Sequence, residues 1–81
     1  MKTYRYEAKK KLLNSTKSEF KSIIQESNVA DEFGEIAFLK LIKRESYVSL
    51  SIKYNCSVEH IRDIMKDVYD RVYRVIKGGL I

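Results

Sequence analysis

Ser46-Tyr47-Val48-Ser49-Leu50-Ser51-Ile52-Lys53-Tyr54-Asn55-Cys56-Ser57-Val58-Glu59-His60-Ile61-Arg62-Asp63-Ile64 is the stretch whose reading decides the fold. Ser46 suits the N-cap of a short helix over 47–54, and Ser57 that of a second helix beginning at Val58, because a serine hydroxyl accepts from an otherwise unpartnered first-turn amide. Between them lies a turn of three residues. Two helices crossing this tightly need a small residue in the first and a residue tolerant of left-handed backbone in the turn. They also need a branched aliphatic anchor in the second. Ser51, Asn55 and Ile61 fill those three roles at intervals of four and six. Asn is the commonest non-glycine residue in the left-handed region. Leu50, Tyr54, Cys56 and Ile64 complete an apolar seam. The stretch predicts a helix-turn-helix.

Downstream, Ile61, Ile64, Met65, Val68, Val72, Val75 and Ile76 recur at three and four. That is one long amphipathic helix ending at Gly78-Gly79, a usual terminator. Of Tyr69 and Tyr73, one is expected in the core and the other covering it. Upstream, Phe33, Ile36, Ala37, Phe38, Leu39, Leu41 and Ile42 are apolar on nearly every side, so this helix is expected to be the central one. Asp31, Glu32 and Glu35 suit its start, where carboxylates complement the dipole, and Lys40, Lys43 and Arg44 suit its end. Gly34 inside it costs about 1 kcal/mol relative to Ala, and an approaching neighbour helix is the expected reason. Thr16-Lys17-Ser18-Glu19 has the form of a capping box, opening a helix from about residue 17 to 27 that carries Phe20, Ile23 and Ile24. Tyr4, Ala8 and Leu12 are spaced for a further short helix, while Tyr4, Tyr6 and Ala8 alternate as a strand would. Both readings of that segment stand. The expected architecture is all-α, a small helical bundle of four to five helices. It forms a single helix-turn-helix domain over 1–81 with a basic N-terminal segment (1–15).

Composition narrows the function. Eighty-one residues leave no room for a second core or a large cofactor cleft. No apolar run approaches the roughly 18 residues of a membrane span, and no signal peptide opens the chain. A cytoplasmic protein without membrane association is expected. One Cys and one His exclude a His/Cys metal site and an internal disulfide. His60 has no nucleophile beside it, Cys56 falls where the motif buries a small residue, and no glycine-rich loop cradles a phosphate. Asn14-Ser15-Thr16 and Asn55-Cys56-Ser57 match glycosylation sequons by chance. Neither an enzyme nor a cofactor is expected. Sixteen Lys and Arg against eleven Asp and Glu give +5. Residues 1–30 hold net +4, 31–45 net −1 and 46–81 net +2, counted along the chain. Basic ends around a neutral middle fit a protein whose ends meet a polyanion. A solvated, lysine-rich surface is the alternative.

The segment Leu50 to Ile64 resembles the promoter-reading C-terminal region of bacterial sigma factors, whose pattern runs I-A-x-x-L-G-V-S-x-x-x-V-R-x-I. Glu35-Ile36-Ala37-Phe38-Leu39-Lys40-Leu41-Ile42 is similar to the helix preceding the motif in that family. The likeness covers about residues 33 to 76 and extends to the small phage and mobile-element regulators that share the motif. Ser51 and Asn55 stand where the family carries Ala and Gly, and Val58 where it carries a basic residue. The resemblance implies a recognition helix capped by Ser57, with Glu59 facing base edges and Arg62 contacting the target strand. At this length a stand-alone regulator or polymerase-associated accessory protein is expected, nucleoid-associated in a bacterial cytoplasm, rather than a complete sigma factor.

With the apolar stripe buried, Val58, Glu59, Arg62, Asp63 and Lys66 are expected at the surface. The first turn and a half of such a helix normally enters the major groove. Val58, Glu59, Arg62 and Asp63 are the candidate base readers: Arg for a guanine edge, Glu for a cytosine amine, Val for a thymine methyl. Lys53, Ser57, Lys66, Arg71 and Arg74 are candidates for phosphate contacts, which position without reading sequence. The segment Lys2 to Lys11 suits an arm along the backbone or minor groove. Plain disorder or a membrane-surface helix are its alternatives. Asp67 with Arg71, and Asp70 with Arg74, have the spacing of intrahelical ion pairs, which would leave a merely solvated face. The expected partner is double-stranded DNA. RNA polymerase, a sigma factor or another host protein is the alternative, and the exposed tyrosines of the last helix or the N-terminal helix suit a homodimer. A DNA-recognition subunit of a phage packaging machine is a further DNA-related reading.

Overall fold

A hydroxyl cap opens three of the five helices, and each sits where the sequence places it. In a computed structural model, which describes residues 3–78 and side chains over 5–78, the order is α1 (Thr3–Leu13), α2 (Lys17–Glu26), α3 (Asp31–Leu41), α4 (Tyr47–Lys53) and α5 (Val58–Lys77). The Thr16 hydroxyl accepts from the Glu19 amide while the Glu19 carboxylate accepts from the Thr16 amide, closing the capping box. The Thr16 amide that donates to it, and then the Thr16 hydroxyl beside it, hold the exposed Glu19 carboxyl below its usual range. Ser46 accepts from Ser49 N–H and Ser57 from His60 N–H, each at 3.0 Å. α3 has no side-chain cap; Asp31 and Glu32 in its first turn act through the dipole alone. Glu35 does something else, described below. Among the described residues the all-α bundle is therefore five-helical, and the N-terminal segment from Thr3 is helix, not strand. Gly79 and the Tyr4 side chain lie outside the described residues.

The three turns that follow α2, α3 and α4 each carry one non-glycine residue in the left-handed region: Asn28 (φ 55°), Arg44 (φ 60°) and Asn55 (φ 53°). That conformation reverses a chain within a few residues at a local steric cost.

The central element is α5, not α3. At 20 residues it is about 30 Å long, and it packs against all four other helices. Its stripe of Ile61, Ile64, Met65, Val68, Tyr69, Val72 and Val75 is buried. α3 buries only Gly34, Ile36, Ala37 and Leu41, and leaves Phe33, Phe38, Leu39 and Ile42 half-covered at the edge of the core. An all-round apolar helix needs neighbours on every side, and with four other helices available the longest rod takes the axis. α1 docks on α5 through Ala8 and Leu12, both fully buried. The Arg5 guanidinium, whose Nε donates to Asp70 Oδ1 at 3.0 Å, ties its first turn down. Residues 5–13 are thus a helix docked on the core through Ala8 and Leu12, where an extended arm or a disordered tail was an expected form.

Gly34 has the role its position suggests. A Cβ there would stand 2.9 Å from Ile24 Cγ2, so the missing side chain lets α2 approach α3. Phe20 and Phe38 pack edge to face between the same helices, centroids 5.7 Å apart. The buried hydroxyls of Ser27 and Ser51 donate to the carbonyls of Ile23 and Val48, so neither is left unsatisfied.

Candidate nucleic-acid interface

The turn from α4 to α5 is built from local bonds. The Cys56 amide donates to the Ser51 carbonyl at 2.9 Å and the Asn55 amide to the Ile52 carbonyl, with Asn55 left-handed between them. Leu50 and Ile61 are fully buried on the two sides of the turn, and Ser51 is buried between them in sequence. Cys56 is half-buried against the core. Tyr54 caps the end of α4 and its hydroxyl donates to the Glu35 carboxylate, joining the turn to α3. Burial, then this hydrogen bond, pushes the Tyr54 phenol well above its ordinary pKa. Glu35 is thus a tether for the turn rather than a partner for the α3 dipole.

Beyond the turn, Glu59, Arg62, Asp63 and Lys66 are exposed on one side of the first three turns of α5, with His60 exposed beside them. Val58 is only half-exposed, so it offers part of its side chain. The Lys66 ammonium lies 3.9 Å from Asp63, both well exposed, a weak pairing easily exchanged for another anion. Lys53 is exposed at the end of α4, 3.9 Å from Glu45. The Ser57 hydroxyl is exposed while it caps the helix.

Two of the nine expected residues fall elsewhere. Arg71 lies about 14 Å farther along α5 than Arg62 and about half a turn around the axis. Its Nε donates to Asp67 at 3.0 Å and its Nη1 to the Asn28 carbonyl at 3.3 Å, so it clamps the left-handed turn after α2. Arg74 is exposed, about 18 Å along the axis from Arg62 and about a third of a turn around it. Neither joins the cluster at the turn. Asp70, spaced for Arg74, bonds Arg5 instead. Tyr69 is buried and Tyr73 half-buried, one in the core and one over it. Burial, with the Tyr47 phenol as a smaller cause, raises the Tyr69 pKa.

The structure adds residues that spacing did not mark. The Arg62 guanidinium lies over the Tyr47 ring, 5.4 Å from its centroid, and the Lys40 ammonium lies over the same ring at 4.7 Å. Tyr47 thereby links α3, α4 and α5 beneath the exposed face. A guanidinium drawn to a ring as a cation commits none of its N–H groups to a hydrogen bond in that contact. The one signal in the sequence was an aromatic residue directly after the N-cap Ser46; its two cationic neighbours are 7 and 15 positions away on other helices.

No helix among the described residues is long and apolar enough to cross a membrane. No protein-family model, curated protein or solved structure matches the chain.

Proposed function

We propose that the protein is a sequence-specific transcriptional regulator of phage or mobile-element type that binds double-stranded DNA through α4 and α5 as a helix-turn-helix. One observation carries the reading. The left-handed turn at Asn55 hands over to a Ser57-capped helix whose first three turns leave Glu59, Arg62, Asp63 and Lys66 exposed. In the roles assigned to them, Arg62 meets a guanine edge, Glu59 a cytosine amine and Asp63 a neighbouring donor, while Val58 contributes its exposed part to a thymine methyl. Lys53, Ser57 and Lys66 meet phosphates. Arg62 enters the groove already held over Tyr47, so little of its freedom remains to be lost on binding.

The test is a titration with selected and mixed-sequence duplexes at about 50 and about 200 mM salt, over which binding through several phosphates weakens by orders of magnitude. Arg62→Ala is expected to lower specific affinity by about 1–3 kcal/mol and to relax sequence choice at one base. Lys66→Ala is expected to weaken binding to every sequence alike. Equal losses on selected and mixed DNA in the Arg62 variant would refute the base-reading role.

A second reading is favoured by one specific feature. Val48 and Ile52, four apart on α4, are 59% and 75% exposed. An apolar pair on that face suits a protein partner such as RNA polymerase or a sigma factor. The two readings separate cleanly: a Val48→Ser, Ile52→Ser double variant keeps DNA binding under the first and loses the partner under the second.

A further inference from the structure

Where the first turn of α1 meets α4 and α5, a cavity of about 210 Å³ is lined by Arg5, Tyr47, Arg62, Met65, Lys66 and Tyr69. Three of the six are cations and none is an acid. They come from three helices that the chain brings together only on folding: Arg5 is 57 residues from Arg62 in sequence. Two tyrosine rings and a methionine form the walls, so the cations sit against an apolar, weakly screening surface. The carboxylates that pair with two of them, Asp70 with Arg5 and Asp63 with Lys66, are not part of the lining. Arg5 stands in the first turn of α1, at the positive end of that helix dipole.

We propose that this cavity is a phosphate-binding cup, gripped by Arg5 and Lys66, which takes one phosphodiester of the strand beside the recognition helix. The proposal rests on the DNA-binding reading above and deepens it. Arg62, on the wall between the cup and the groove-facing side of α5, meets bases in the register that the captured phosphate fixes. Lys66 exchanges its exposed, 3.9 Å contact with Asp63 for the phosphate. Arg5, which lines the cup, keeps Asp70 on Nε and brings its positive charge to the oxyanion. α1 is thus a working part of the interface, reached through a folded helix and not through an extended arm.

The experiment compares the full chain with Arg5→Gln and Asp70→Asn, which break the same ion pair from opposite sides. Binding to a mixed-sequence duplex is measured from about 50 to about 200 mM salt, with helix content checked by circular dichroism. Arg5→Gln is expected to make the slope of log K against log salt shallower by about 0.9, the signature of one lost phosphate contact, by the same amount on every sequence. Asp70→Asn is expected to bind at least as tightly as wild type with a slope at least as steep. If the pair only anchors α1, the two variants weaken DNA binding alike, and that result overturns the proposal. Lys66→Gln guards against an Arg5 variant that does not fold. Its side chain anchors no helix, so an unchanged slope there is equally fatal.

A second arm titrates the protein with inorganic pyrophosphate while the arginine Nε–H resonances are followed. Shifts at Arg5 and Arg62 that vanish in Lys66→Gln support the cup independently of DNA. An Arg5→Gln slope equal to that of a wild type that binds DNA removes the cup and leaves the helix-turn-helix reading standing. A wild type that binds no duplex at about 50 mM salt removes that reading, and with it the phosphodiester as the cup's ligand.

Discussion

Replacing Asn55 tests the joint between α4 and α5 most directly. Its φ of 53° puts any β-carbon against the following carbonyl, a cost of about 1–2 kcal/mol for an ordinary residue. Asn offsets part of it with its short polar side chain, so Asn55→Ala is expected to lose about 1 kcal/mol and Asn55→Val about 2 kcal/mol. Asn55→Gly removes the clash but widens the unfolded ensemble by about 0.4–1 kcal/mol, so it should match wild type closely. The backbone bonds of the turn, Cys56 N–H to Ser51 and Asn55 N–H to Ile52, are common to all four proteins and cancel in the comparison. For a domain of this size, 1 kcal/mol moves Tm by about 4–8 °C. Thermal melts followed by circular dichroism should rank Gly and Asn together, then Ala, then Val. An Ala variant as stable as wild type, or a Gly variant below Ala, would refute a left-handed turn at this position.

Arg44 holds the same conformation (φ 60°) with a side chain that gains nothing from it. Arg44→Gly is therefore expected to stabilise by about 0.5–1 kcal/mol in a denaturant melt, the relief exceeding the added freedom of the unfolded chain; a loss of stability would show the arginine to be held by contacts instead. Gly34→Ala gains about 1 kcal/mol of helix propensity. It also places a methyl 2.9 Å from Ile24 Cγ2, a branch that moves only by turning the whole β-branched side chain. Overpacking of about 1–3 kcal/mol should leave the single variant neutral to destabilised, and in an Ile24→Ala background the same change should turn stabilising by about 1 kcal/mol. Tyr54 and Tyr69 have folded pKa values raised above the usual phenol value. Their contribution is present in full below about pH 10 and is lost as pH climbs from there toward the folded values, because the unfolded phenols ionise first. Tyr54→Phe should cost about 1 kcal/mol at neutral pH through the lost bond to Glu35 and decline less steeply than wild type above about pH 10; parallel declines would remove Tyr54 from the account.

The features legible in the sequence are those set by neighbours a few residues away. Thr16, Ser46 and Ser57 announce three helix starts because a cap needs only its own first turn. Asn55 announces the turn because backbone sterics act within one residue. The stripe from Ile61 to Val75 announces the face of α5 because it follows the helical period. What stayed hidden depends on which elements pack together. The Phe33-to-Ile42 run is apolar enough to be central, and only the assembled bundle gives that place to α5. Asp70 had a partner in helical register in Arg74, yet it bonds Arg5, which is 65 positions away. Arg71 carried a positive charge suited to phosphate and the spacing for Asp67, but its bond to the Asn28 carbonyl follows from where α2 ends. Tyr47 shows the same limit: nothing local tells that Lys40 and Arg62 both rest on its ring.

Charge placement turns the two proposals into one physical arrangement. The exposed residues at the start of α5, Glu59, Arg62, Asp63 and Lys66, sum to zero, so that face by itself has little attraction for a polyanion. Of the net +5, +4 falls in residues 1–30, and α1 alone holds +3 of it, Arg5, Lys9, Lys10 and Lys11 against Glu7, while α2 is neutral. A neutral reading face discriminates by matching donors with acceptors and gains little on random sequence, whereas a basic flank attracts every sequence equally. Under the proposed function, net attraction therefore comes mainly from α1 and choice from α5, and they act on the same stretch of duplex only if the basic helix is fixed beside the reading one. Ala8 and Leu12 provide that fixation by burial against α5. Substituting Arg5 should thus alter how strongly the protein holds any DNA, and substituting Arg62 which DNA it prefers. A variant of either residue that shows the other's phenotype would break the division.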